Sequence, residues 1–449
     1  MKDMTKGSVV KHLLVFALPL LLGNIFQQLY SIVDTAVLGR GVGVEALAAA
    51  GSTGSVNFFV LGFITGLTHG YSILISQSFG SGSAAATRKA VTMGAYLSAA
   101  GALVITVLSL VGSRPLLKLM GTPADLMEDA LLYIRILFLG IGASVFYNYC
   151  SAVLRALGDS LSPLVIVVIS SVVNCVLDIL FVMVFPWGVA GAAWATVTAQ
   201  LLSGFLCLFV LGRVDLLRME KADWKPDGEV LWKLLKLGVP VGLMNSVTAI
   251  GNMILQGVVN GLGSVTVAAY TIGTRIIGLA EQPTSLLGFA LGTFVGQNLG
   301  ANKVSRIREG VRKTFFLSLA MSVLVGGALI LFGKNLAGLF FADAAQDVIE
   351  TAYPFILTTG ALLPVLGWLF TYRFALQGIG DTTVPLLSGG LELLLRIAVV
   401  LFLPLSLGYW RICFAEVSAW AGAMLLLMFT YYIRVRKLER KGPSGLTLS

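Results

Sequence analysis

Residues 13–38 read LLVFALPLLLGNIFQQLYSIVDTAVL. The run is long and apolar enough to cross a bilayer as a helix, since about 20 residues at 1.5 Å each span the hydrocarbon. It also carries Asn24, Gln27, Ser31 and Asp34 at spacings of three, four and three, which puts them on one helical face. A polar stripe facing lipid is costly, so this face is expected to look at other helices or at a water-filled cavity. Pro19 removes a backbone hydrogen bond upstream of Asp34, so the helix can bend. A bendable helix with an ionisable group on its inner face reads as a moving part.

The remainder of the 449 residues has the same character. Hydrophobic residues make up 57% and charged ones 12%, with a mean hydropathy of +0.90. Soluble domains carry about 25% charged residues, so this is an integral membrane protein. The apolar run behind the basic first dozen residues is too long for a removable signal peptide and lacks a small-residue cleavage site. Insertion through the chain's own helices is expected.

Apolar segments recur at about 13–38, 53–76, 90–111, 130–154, 161–185 and 189–211, then at 237–259, 268–296, 314–332, 352–376, 384–404 and 409–433. The expected fold is an all-α polytopic membrane protein with 12 transmembrane helices in two pseudo-symmetric six-helix bundles. The bundles would be residues 1–212 and 237–433, with a polar connector at 213–236 and a basic tail at 434–449. With the N-terminus in the cytoplasm, most of the 31 Lys and Arg fall inside, and only Arg40, Arg114, Lys118, Lys334 and Arg411 outside. The bias fixes both termini in the cytoplasm of a multi-pass cell-membrane protein. The net charge of +9 is thus topology and not nucleic-acid binding. Cys150, Cys175, Cys207 and Cys413 sit far apart in apolar segments, and only His12 and His69 could join them, so no disulfide framework, transition metal or cofactor is implied.

The two halves echo one another. Phe16-Ala-Leu-Pro19 matches Leu237-Gly-Val-Pro240, Gln77-Ser-Phe-Gly80 matches Gln297-Asn-Leu-Gly300, and Arg155-Ala-Leu-Gly-Asp159 matches Gln377-Gly-Ile-Gly-Asp381. Copies with an even number of spans share one topology and are related by an axis along the membrane normal. Two such bundles facing a central cleft suit alternating access. The symmetry breaks at the acids: Asp34 maps to Ile254 or Leu255, Asn174 to Arg396 and Asp178 to Val400. The shared scaffold therefore does not require them. Ser171, Asn174 and Asp178 form a polar face on the fifth span, and Thr196, Gln200 and Ser203 another on the sixth. Carboxylate, amide and hydroxyl oxygens suit Na⁺ or a proton. Two carboxylates in a low-dielectric site do not both ionise cheaply, so one is expected to hold a proton unless a cation compensates.

Val33-Asp34-Thr35, the Gly-Asp turn at Asp159, Asn174-x-x-x-Asp178, Gly188-Val-Ala-Gly-Ala-Ala-Trp-Ala-Thr196 and Gln297-Asn-Leu-Gly300 resemble the multidrug and toxic compound extrusion (MATE) transporters over essentially the whole chain. The resemblance implies two six-helix lobes and export of amphipathic, mostly cationic compounds in exchange for H⁺ or Na⁺. In prokaryotic members of the DinF-like kind, an N-lobe cation or proton site uses the residues matching Asp34, Asn174, Asp178 and Thr196, and the first helix bends at the proline matching Pro19. Members of the NorM-like kind place an acid in the seventh helix; Asn245-Ser-Val-Thr248 has none here, which shifts weight to the N-lobe.

Gln27, Tyr30, Glu281, Gln282 and Arg275 are the substrate-cleft candidates, with Glu281 either meeting a cationic substrate or pairing with Arg275. Glu392 and Arg396, four apart, are expected to pair with each other, and Glu416 to reach the interface. Gly378-Ile-Gly-Asp381 fits an intramembrane protease signature superficially but lacks a Tyr-Asp partner, and no phosphate-binding loop exists, so neither an enzyme nor an ATP-driven pump is expected. The alternative is a flippase for a lipid-linked saccharide, which would line its cleft with several arginines. Expected partners are small amphipathic molecules and membrane lipids, and nothing demands more than a monomer.

Overall fold

Apolar runs with few breakers become long helices, and in this computed structural model the described residues, 2–338 and 346–441, form helices and short connections without strands. The helices are α1 (Val9–Gly41), α2 (Val44–Gly80), α3 (Ala84–Leu119), α4 (Met127–Leu139), α5 (Ile141–Ala156), α6 (Leu161–Asp178), α7 (Gly188–Gly212) and α8 (Gly228–Asn260). They continue as α9 (Ser264–Ala280), α10 (Gln282–Gly300), α11 (Val304–Gly338), α12 (Gln346–Ala361), α13 (Leu363–Ile379), α14 (Thr383–Phe402) and α15 (Trp410–Lys441). Nine crossings are single helices, and α4 with α5 and α12 with α13 form bent ones at 44° and 50°. Length and hydropathy thus mark nine to eleven crossings among the described residues; α9, of 17 residues, is a shorter apolar helix followed directly by α10.

The breaks that periodicity did not show have local causes. At Gly140, between α4 and α5, a Cβ would fall 2.2 Å from Val197 Cγ2, so only glycine admits α7 this closely. Pro364 and Pro283 sit in the first turns of α13 and α10, where proline suits a helix start and turns the chain before it away from helix. The repeated Gly-Asp turn joins two signals. Gly158 (φ +81°) and Gly380 (φ +94°) end their helices in the left-handed region. Asp159 Oδ1 then accepts from the amides of Leu161 and Ser162 at 3.1 and 3.0 Å, and Asp381 Oδ1 from that of Val384 at 3.3 Å, starting the next helix.

Packing divides the chain into unit 1, Met1–Asp3 with Leu18–Gly242, and unit 2, Met4–Ala17 with Leu243–Ser449. The connector expected at 213–236 lies within unit 1, and its last residues already belong to α8, whose first turn is capped by Asp227 Oδ1 accepting from Glu229 and Val230 at 3.1 Å. The change of unit falls inside α1, beside Pro19, and inside α8, beside Pro240. The expected tail from residue 434 is helical through Lys441; residues 442–449 lie outside the described part.

In unit 1 the connector is pinned to α3. Arg88 Nε and Nη2 each meet a carboxylate, of Asp223 and Glu220, at 2.7 Å, and Tyr96 Oη donates to Trp224 O at 2.9 Å. A core around Tyr71, Met93, Val153 and Leu154 lies behind them. In unit 2, Gln297 Oε1 accepts from the Met4 amide at 2.9 Å, and Arg306 Nη2 donates to the Met4 and Gly7 carbonyls at 3.1 Å. The Gln-Asn-Leu-Gly end of α10 thus anchors the start of the chain.

Candidate cation and proton site

Three helices of unit 1 build the site. On α1, Gln27, Tyr30 and Asp34 turn inward and are half-buried, whereas Ser31 is exposed. The expected four-residue inner stripe is therefore narrower, because Ser31 falls at the edge of the buried arc, where Tyr30 replaces it. On α6, Asn174 is 2% and Asp178 0% exposed. Asp178 is the last α-helical residue before a π-helical turn, Ile179–Val184, a local widening that often marks functional sites. The turn packs on the glycine-rich start of α7: a Cβ at Gly191 would stand 2.9 Å from Phe181 O. The close approach explains why small residues precede Thr196 in the motif.

Between these helices lies a cavity of ≈50 Å³ lined by Gln27, Tyr30, Tyr147, Ser170, Ser171, Asn174, Thr196, Gln200 and Ser203 with two apolar residues. Most of its hydroxyls are occupied: Thr196 Oγ1 donates to Ala192 O at 3.2 Å, Ser171 Oγ to Val167 O at 2.8 Å and Ser203 Oγ to Ser170 Oγ at 2.5 Å, while Gln200 Oε1 accepts from Ser144. The acids are not. Asp34 Oδ1, both oxygens of Asp178 and both amide atoms of Asn174 are buried without a hydrogen-bond partner. Asp34 and Asp178 lie within electrostatic reach of each other and of Tyr30 and Tyr133. Leaving a buried anion unpaired costs several kcal/mol. The volume admits an ion or a water and excludes a drug-sized molecule. Tyr133 and Tyr147 escaped sequence reading because aromatic residues carry no polar signal within an apolar run.

Glu281, Gln282 and Arg275 belong to unit 2. Glu281 occupies the α9–α10 break, within electrostatic reach of Arg373, Glu392, Arg396 and Glu416. Arg275 is exposed and makes no ion pair among the described residues, so it is not Glu281's partner. Arg396 donates to both Glu416 oxygens, at 3.0 and 2.9 Å, and stands 3.9 Å from Glu392, which is held instead by Arg373. Two expectations are corrected here. The Glu392–Arg396 pair is the loosest link of a chain between helices, and Glu416 is its end. Arg373 is 7% exposed within the same chain. At the position repeating Asn174, unit 2 thus holds a neutralised arginine.

Two helical repeats, one with a buried cluster of unpartnered carboxyl and amide oxygens, define a duplicated helical membrane carrier. The MatE family model matches residues 19–180 and again 240–402, one match per repeat. "Probable multidrug resistance protein YpnP" of Bacillus subtilis is 31% identical over 84% of this chain and 83% of its own length, and "Probable multidrug resistance protein NorM" of Thermotoga maritima is 24% identical over 84% and 82%. A crystal structure of MATE in the bent conformation superposes with a TM-score of 0.90 at 23% identity, covering 98% of both chains. The chain belongs to the MATE family: it is a multi-pass membrane transporter and not an enzyme.

Proposed function

We propose that the protein is a secondary active efflux transporter that exports amphipathic, mostly cationic compounds in exchange for H⁺ or Na⁺ by alternating access. The observation that carries the coupling is the set of buried, unpartnered oxygens on Asp34, Asn174 and Asp178 beside a cavity of ionic size. A proton or Na⁺ there changes the stability of any arrangement that keeps the acids together, and such differential binding is what coupling requires. Thr196 supplies a further oxygen, Pro19 the bend in α1, and Gln27, Tyr30, Glu281 and Gln282 the polar contacts for substrate. The multidrug names of the relatives support the substrate class. The N-lobe acids favour the DinF-like kind, and the Lys and Arg bias a cell-membrane protein with both termini cytoplasmic. It acts as a monomer.

The flippase reading is not favoured. A pyrophosphate needs uncommitted arginines, and Arg373 and Arg396 are neutralised by Glu392 and Glu416. Cells expressing Asp34→Asn or Asp178→Asn are expected to retain protein in the membrane yet lose ethidium efflux by about 10- to 100-fold, since one charged contact is worth about 1.5–3 kcal/mol. Efflux at the wild-type rate in both variants would end this reading.

A further inference from the structure

At the end of unit 2 where α11 begins and α15 ends, a groove of ≈900 Å³ runs between α11, α13 and α15, apart from the acid pocket and the ion chain. Arg308 and Arg312 stand one turn apart on its α11 wall. Arg308 Nη1 reaches Glu439 at 2.8 Å, while Arg312 is exposed and makes no ion pair among the described residues. The walls then turn aromatic, with Phe315, Phe316, Tyr431 and Tyr432. Phe316 and Tyr432 are 60% and 50% exposed, on a helix pair apolar enough to cross the membrane, so they face lipid. Tyr431 is 2% exposed, yet its hydroxyl has no hydrogen-bond partner.

We propose that this groove binds one anionic phospholipid. Its two ends demand opposite chemistry: a free guanidinium where the apolar span begins, and an apolar aromatic wall inward from it. A phosphodiester head with acyl chains meets both. Arg312 and the aromatic residues Phe315, Phe316 and Tyr432 line one continuous groove, so the head and the acyl chains of a single lipid lie along it.

The test is native mass spectrometry of the full-length purified chain with added phosphatidylglycerol or phosphatidylethanolamine. One retained phosphatidylglycerol is expected, held about fivefold more tightly than phosphatidylethanolamine. Arg312→Gln, a change at an exposed side chain, should weaken it about fivefold. Lys437→Gln, the same charge loss outside the groove, should leave retention unchanged. Equal retention of the two lipids, equal loss in Lys437→Gln, an unaffected Arg312→Gln, or displacement by millimolar inorganic phosphate would overturn the proposal.

Discussion

Asp178 shows what the site demands at the scale of one residue: a fully buried carboxyl with no partner for either oxygen, at the point where α6 widens into a π turn. Glu392 and Glu416 of unit 2 are solved the opposite way, by direct pairing. Removing one member of a buried pair leaves an uncompensated charge and costs about 3–5 kcal/mol. Glu416→Ala should accordingly lower the thermal stability of the purified protein, and Arg396→Met with Glu416→Leu should recover much of the loss. A Glu416→Ala protein as stable as wild type would show that the Arg396 contact contributes nothing. Asp34, Asn174 and Asp178 were legible in the sequence because polar groups stand out in apolar helices, and helical spacing aligned them. The partner of Arg396 was not, since pairing between α14 and α15 leaves no mark in spacing along either. Local spacing suggested Glu392, and geometry across helices prevailed.

Among elements, the turns were the most readable, because a left-handed glycine followed by a capping aspartate is a local signal. The bends were less so: Gly140 breaks the fourth span only because α7 presses Val197 against it, a fact of packing. The connector shows how a loop is held by charge. Burial alone would raise the pKa of Asp223, but the Glu220 amide and the Arg88 guanidinium outweigh it and hold the carboxyl below its usual value. A lowered value in the docked form means that the contact contributes above the ordinary carboxylate pKa of about 3.9 and is lost as the pH falls through that range. The protection factors of residues 218–227, corrected for intrinsic exchange, should therefore be high at neutral pH and fall progressively as the pH is taken below about 3.9; unchanged protection factors would remove the ionic account. For α1, Pro19→Ala restores a helical amide and relieves roughly 3 kcal/mol of local cost. The variant is expected to be at least as stable as wild type and to export more slowly, because its first helix resists bending. Export at the wild-type rate would dismiss the hinge.

Across the whole molecule, one scaffold is used twice and equipped once. Both repeats keep the prolines, the Gly-Asp turns and the Gln at the end of the span, and each is matched separately by the family model. Asp34, Asn174 and Asp178 find Ile254 or Leu255, Arg396 and Val400 in the second copy. Duplication was plain in the sequence because the repeated motifs keep an offset of 220 to 222 residues. The division of packing was not, because it falls inside two continuous helices beside their prolines, where composition does not change. A one-sided acid pocket in a two-sided scaffold makes the central claim specific: the energy for export enters through unit 1. The most direct measurement uses proteoliposomes holding wild type or Asp34→Asn, with a fluorescent lipophilic cation, under a pH gradient and a Na⁺ gradient applied separately. Wild type should move the dye under at least one gradient, which names the coupling ion, and Asp34→Asn under neither. Gradient-driven transport by Asp34→Asn at the wild-type rate would contradict the account.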